Sequence, residues 1–330
     1  MTRFGYTLMT EQAGPKDLVR FAAEAERRGF DFEVCSDHYF PWLDSMGHSP
    51  YAWSVLGAAA HATERVELMS FVTCPIMRYH PAVVAQKAAT VDLLADGRFI
   101  LGLGAGENLN EHVVGERWPT VAERHDMLEE ALDIIRDLLD GEQVTVDGEH
   151  YRVDQAKLWD LPNEPVEVGV AVSGPESVSR FAPAADHLVT TLPDAELVED
   201  WHETRADAGL ERGRVFGQIP VSWDPSDAEA ALDRAHELFR WSGLDWPVNA
   251  NLPDTKAFEA ATAAVRREDV AESVPCGPDL DAVVEVAKTW WDAGFTDIAL
   301  VQIDGSMQDR FFAEAAEPLL EKLRAAAPAS

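Results

Sequence analysis

The chain has 330 residues, 46% of them hydrophobic, with 59 acidic against 27 basic side chains and a formal net charge of −32. That length suits one large α/β barrel or two ordinary domains, and the charge argues against nucleic-acid or anionic-membrane partners. No apolar run reaches the 18 residues of a membrane-crossing helix, strand-like sequence from residue 3 leaves no room for a signal peptide, and Cys35, Cys74 and Cys276 form no CxxC pair, which fits a reducing cytoplasm.

In chain order, a strand-like segment at 3–8 is followed by an amphipathic helix at 16–28 that stops at Gly29. The strand at 31–36 precedes a helix at 51–63, and the strand at 66–71 a helix at 82–95 closed by Asp96-Gly97. After the strand at 98–103 come a loop, a long helix at 121–139 and a hairpin at 144–153 with an Asp147-Gly148 turn. Strand 166–172 leads into Ser173-Gly174-Pro175 and a helix to about 185; strands at 187–190 and 215–222 have helices at 195–208 and 227–241 behind them. A helix at 279–293, a strand at 297–301 and a final helix at 308–325 complete the pattern.

Eight β/α units of this kind predict a (β/α)8 TIM barrel forming a single domain over 1–330. Two insertions interrupt it: the helix and hairpin after the fourth strand, within 118–166, and a long loop and helical stretch at 243–278 before the eighth. An open doubly wound sheet would need a dinucleotide fingerprint near the N-terminus, and none is there. The acidic residues are scattered along the helices, which reads as a hydrated surface adapted to high salt.

Chemistry in a parallel barrel collects at the C-terminal ends of the strands. Two clusters sit there. Ser36-Asp37-His38-Tyr39-Phe40-Pro41-Trp42 follows the second strand, and Gly102-Leu103-Gly104-Ala105-Gly106-Glu107-Asn108-Leu109-Asn110-Glu111 ends the fourth. His38 can take and return a proton near neutrality; its plainer reading is a histidine hydrogen-bonded in a turn. Glu107, in apolar and glycine-rich surroundings, would have a raised pKa and could donate a proton; its plainer reading is a cap on the following turn. The glycines would let a ligand approach the backbone, although the spacing is GxGxG with no helix directly after it. Ser173-Gly174-Pro175 offers N–H groups at a helix start, where a phosphate could sit. His48, His61, His112 and His125 lack ligand spacing, so no metal site is expected.

Taken with Pro75, Arg78-Tyr79 and Pro81, and with Tyr151-Arg152 behind the Asp147-Gly148 turn, these motifs resemble the luciferase-like superfamily of TIM barrels. Within it the chain is most similar to coenzyme F420-dependent oxidoreductases related to F420-dependent glucose-6-phosphate dehydrogenase. The resemblance implies that His38 takes the substrate hydroxyl proton, that Glu107 protonates the deazaflavin, that Trp42 packs by the reacting carbon, and that Asp37 holds the cofactor. It further implies a non-proline cis peptide between Phe71 and Val72 behind the ring, with Gly106 and Asn110 near it and Ser173 and Gly174 around the cofactor phosphate. The relatives are often dimers, so a homodimer is a possible assembly.

Where those relatives hold a sugar phosphate with two lysines and an arginine, this chain has Pro193 or Asp194, the neighbourhood of Phe258 and Lys256, and about Glu272. An acidic residue there would repel a phosphate. The expected substrate is therefore a small alcohol or aldehyde, or an unphosphorylated sugar, in a more apolar pocket lined by Trp241, Trp246 and Pro247. The alternatives are an FMN-dependent monooxygenase of the same superfamily and a flavin- or deazaflavin-binding barrel without turnover.

Overall fold

Alternation along short strands, buried on both faces, builds the barrel. Phe32 and Val34 pack with Met69, Phe71, Ile100, Val189, Phe216 and Ala299 into one apolar cluster inside it, while Cys35, Leu68, Leu101 and Leu103 join the larger cluster under the helices. Such two-sided burial is why these strands read as nearly continuous apolar runs. At Gly5 an added Cβ would lie 2.5 Å from the Phe32 ring, so glycine there makes room for that ring in the interior.

The structure, a computed structural model, describes residues 2–328; of the span expected as one domain, Met1, Ala329 and Ser330 lie outside the described residues. Its strands are β1 (Arg3–Leu8), β2 (Phe32–Cys35), β3 (Glu67–Ser70), β4 (Phe99–Leu103), β5 (Val144–Asp147), β6 (Arg152–Ala156), β7 (Glu167–Ala171), β8 (His187–Val189), β9 (Val215–Trp223), β10 (Cys276–Gly277) and β11 (Asp297–Gln302). Eight of them, in the order β1-β2-β3-β4-β7-β8-β9-β11, close back on β1 as a parallel ring. The expected TIM barrel is thus present. β5 and β6 form the separate antiparallel hairpin of the first insertion.

Several boundaries depart from expectation. The helix after β7 ends at Phe181 rather than near 185, and the C-terminal helix is broken into Gln308–Glu314 and Ala316–Ala326. The two-residue β10, unforeseen, extends β9 outside the ring. A single-turn helix, Asn108–Glu111, does follow Glu107 directly.

Both insertions are tied down near the C-terminal mouth. Glu130 accepts the N–H groups of His150 and Tyr151 at 3.0 and 2.9 Å, and the Tyr151 hydroxyl donates to the Ile76 carbonyl at 3.1 Å. In the second insertion, the Ala250 carbonyl accepts the Asn108 N–H at 3.0 Å, anchoring that segment to the Glu107 loop.

The opposite, N-terminal mouth is closed by charge. Arg214 forks onto Glu67 (3.2 and 2.8 Å) and Asp297 (3.1 and 2.6 Å), and Arg3 also reaches Glu67. His187 meets Glu167 at 3.0 Å. These two carboxylates hold the Arg214 guanidinium above its ordinary pKa despite burial.

Candidate active site

Three strand ends supply the site. β1 runs into a 3-10 turn, Thr10–Gln12, which carries Glu11; β2 delivers Asp37 and His38; β4 delivers Glu107. His38 Nε2 lies 3.5 Å from Glu11 Oε1 and 3.7 Å from Glu107 Oε2. Its other nitrogen, Nδ1, is 3.1 Å from the Phe40 carbonyl. A carbonyl only accepts, so Nδ1 carries a hydrogen and Nε2 is the nitrogen that faces the two carboxylates. The bond within the turn is therefore what aims Nε2 at Glu11 and Glu107.

Glu107 occupies the N-cap position of the Asn108–Glu111 turn, but its side chain makes no capping bond. It faces His38 instead and accepts a hydrogen bond from Asn110 Nδ2 at 3.1 Å. Burial pushes its carboxyl up to about 7, with His38 opposing that rise. Asn110 Oδ1 meanwhile accepts the N–H groups of Tyr39 and Phe40 at 2.8 and 3.3 Å, locking the β2 and β4 loops together.

Glu11 was not among the sequence candidates. Its side chain is almost wholly buried, and Oε2 is held by the Ser36 and Thr10 hydroxyls. Its signal was present: an acid three residues past the end of the first strand, the rule that picked out the other two clusters.

Asp37, expected to hold the cofactor, stands behind the site. Its side chain is 0% exposed. It accepts from Trp53 Nε1 (3.2 Å), Thr73 Oγ1 (2.7 Å), Tyr79 Oη (3.1 Å) and Arg78 Nη2 (3.2 Å), so the chain itself occupies its oxygens. Arg78 bridges onward to Glu111, whose oxygen accepts the Arg78 N–H at 2.7 Å. Burial lifts the Glu111 carboxyl to about 7 as well, against the pull of that arginine.

The aromatic wall is built by Trp42. Its ring centroid lies 4.9 Å from His38, and Trp241 stacks on it at 4.2 Å and 8°. Phe258 meets it edge-on at 5.1 Å. Trp246 and Pro247, expected beside Trp241, are exposed on the short helix Trp246–Asn249.

The Phe71–Val72 peptide is cis, as the resemblance implied. Val72 fills the space over Gly104, where an added Cβ would stand 2.7 Å from Val72 Cγ2. At Gly102 a Cβ would fall 1.9 Å from the Ser70 carbonyl oxygen. These two glycines serve close packing of β3 on β4 rather than ligand approach, a correction to the sequence reading. Gly106 has φ +78°, a left-handed turn that aims Glu107 back toward His38. Ser173 and Gly174 do sit at the C-terminal end of β7, with open space at Gly174, but both N–H groups point at Ser177 Oγ at 3.3 Å.

Known proteins share this barrel. The model of the luciferase-like monooxygenase family matches residues 1–298. The chain belongs to the luciferase-like family. It is 36% identical to the F420-dependent glucose-6-phosphate dehydrogenase of Segniliparus rotundus over 98% of both chains, and 35% identical to that of Nakamurella multipartita, covering 98% of this chain and 97% of the relative. Among solved structures, an F420-dependent secondary alcohol dehydrogenase in complex with an F420–acetone adduct superposes with a TM-score of 0.89 at 29% identity, over 98% of this chain and 99% of that one. A coenzyme F420-dependent tetrahydromethanopterin reductase from Methanopyrus kandleri shares the fold, with a TM-score of 0.78 at 18% identity. This luciferase-like chain therefore shares a family with named dehydrogenases across nearly its whole length.

Proposed function

We propose that the chain is an F420-dependent oxidoreductase that interconverts a small uncharged alcohol, or an unphosphorylated sugar, with its carbonyl form. The carrying observation is His38 Nε2 facing Glu11 and Glu107 beside the Trp42 wall. Bound F420 supplies the hydride acceptor at C5. The donor set suits it: a carboxyl that keeps its proton to about pH 7 is available at Glu107, directly after Gly106 in the loop whose Gly104 packs under Val72 of the cis peptide. His38 Nε2 takes the alcohol's hydroxyl proton as the carbon gives up hydride, and Glu11 stabilises the resulting imidazolium. Asp37 acts as framework for that strand end. The names of the relatives favour F420 over FMN.

The pocket chemistry supports an uncharged substrate. Phe258 is fully buried on Trp42, Asp194 caps a helix by accepting from Glu196 and Leu197, and Lys256 and Glu272 are exposed. The nearest guanidinium, Arg78, is committed to Asp37 and Glu111. The test follows the absorbance of oxidised F420 at high salt. Oxidation of 2-propanol is expected, with no saturable use of glucose 6-phosphate; micromolar use of the phosphate would overturn the substrate reading.

For assembly, a homodimer through the helices Ala52–Ala62 and Pro81–Leu94 fits the charge distribution. Their exposed positions, Ser54, Ala58, His61 and Ala62 on one and Val83, Gln86, Thr90, Leu93 and Leu94 on the other, include no Asp, Glu, Lys or Arg. Elsewhere two copies at −32 each would oppose carboxylate to carboxylate. Light scattering of a Leu93→Glu, Leu94→Glu variant tests this, with a monomer expected. The acidic coat supports a high-salt habitat, and the three free cysteines a reducing compartment.

A further inference from the structure

One buried cation has no part in the proton-transfer site. Lys87 lies on the helix Pro81–Leu94, and its Nζ is buried with no hydrogen-bond partner. It sits 3.2 Å from the centroid of the Tyr79 ring, 5.2 Å from Tyr51 and 5.4 Å from Trp53, three aromatic faces around one ammonium. Two of those rings hold Asp37 with their polar ends: Tyr79 Oη donates to Oδ1 and Trp53 Nε1 to Oδ2. Its charge also bears on the cluster. Asp37 and Glu111, both with fully buried side chains, share the single guanidinium of Arg78. Lys87 brings a second positive charge toward Asp37.

We propose that Lys87 is a positioning residue, whose ammonium, held by the Tyr79, Tyr51 and Trp53 rings, fixes the Asp37–His38 strand end through the Tyr79 and Trp53 donors. A cation on the face of a phenol withdraws electron density from the ring and makes its O–H a stronger donor. The strengthened bond falls on Asp37 Oδ1, one residue from His38. The groups facing Lys87 are Asp37 from the end of β2, Tyr51 and Trp53 from the start of the Ala52–Ala62 helix, and Arg78 and Tyr79 from the loop before its own helix. Among these, Asp37 favours the charged ammonium and Arg78 opposes it, while burial brings the Lys87 pKa down to about 8. The device is therefore cationic at neutral pH and lost above it.

The activity part of this inference rests on the F420 reading; two other readouts do not. In Lys87→Met, kcat with F420 and 2-propanol should fall about tenfold with little change in KM, in line with loss of a desolvated cation–π contact. Lys87→Arg should restore most of kcat and carry activity to higher pH. The second readout is the His38 Cε1–H resonance of the cofactor-free protein, assigned with His38→Asn: it should shift in Lys87→Met and return in Lys87→Arg. The third is Tm against pH. A lysine whose folded pKa is depressed binds fewer protons folded than unfolded between about pH 8 and its ordinary value near 10.4, so stability rises across that window. Lys87→Met should lose that rise without losing Tm at pH 7. A merely structural lysine would instead lower Tm and leave the resonance in place, and that outcome overturns the proposal. So does a Lys87→Met enzyme with wild-type kcat and an unmoved resonance. If the wild-type protein never turns over F420, the functional reading falls, and the resonance and Tm decide Lys87 alone.

Discussion

The two mouths of this barrel are built from the same residue types and do opposite things. At the N-terminal mouth, Arg3, Arg214 and His187 meet Glu67, Asp297 and Glu167 in short pairs. At the C-terminal mouth, Glu11 and Glu107 flank one imidazole at 3.5 and 3.7 Å, longer than a hydrogen bond, and among the described residues neither forms an ion pair with a guanidinium. Paired charges hold their protonation states and lock geometry. A carboxylate whose partners do not offset its burial can change protonation near neutral pH, as Glu107 at about 7 illustrates. The lesson is that the balance of burial against pairing, not residue type, sets which charges can change protonation near neutral pH.

The sharpest way to break that contrast is one substitution at each mouth. His38→Asn should lower kcat by about 10²–10⁴-fold, the usual share of a positioned acid–base group, and leave Tm nearly unchanged. Arg214→Met should do the reverse. Removing one partner of a buried pair costs about 3–5 kcal/mol, read as a lower denaturant midpoint, with kcat per folded molecule retained. If Arg214→Met lost activity but not stability, the two mouths would not divide labour in this way.

Next in size is Glu107→Gln, which should cost about 10–100-fold in rate, at the lower end of general-acid contributions. Because the wild-type acid must be protonated, rate should fall as pH rises through about 7, and the variant's profile should be flat there. The linked stability effect has a fixed sign. A carboxyl raised on folding binds more protons folded than unfolded, so stability falls as pH climbs from the ordinary carboxylate value toward 7. Glu111, also near 7, adds to that slope, and Glu107→Gln should remove only part of it. The smallest effect is expected at the aromatic wall: Trp241→Ala loses a stacked pair worth about 0.5–1.5 kcal/mol, seen as a severalfold rise in KM for the alcohol with kcat nearly intact.

Much of this was legible in the chain. The eight-strand count followed from apolar runs between amphipathic helices, and His38 and Glu107 from their places just past such runs. Glu11 is less legible in the sequence because it sits in a 3-10 turn past the end of β1 and reads as loop. The resemblance alone points Asp37 at the cofactor, and strand alternation cannot place it, because adjacent residues point apart only while a strand continues. That rule lapses past Cys35, where the chain turns Asp37 inward to four donors. The glycines after Phe99 looked like ligand contacts, but the neighbouring β3 takes their space. Trp246 looked like a pocket wall on hydrophobicity alone, while its 41% exposure shows the short helix turned away.

Periodicity and composition alone determined that this is a parallel barrel with an acidic surface, since both are properties of residues near each other in sequence. Which carboxylates are paired, which are pushed toward neutral pKa, and that Lys87 stands behind Asp37 were decided only by the closed ring. It brings residues 11, 38, 78, 87 and 107 together from four β/α units. Coulomb and desolvation energies depend on separations in space of a few ångströms, and sequence spacing does not encode them.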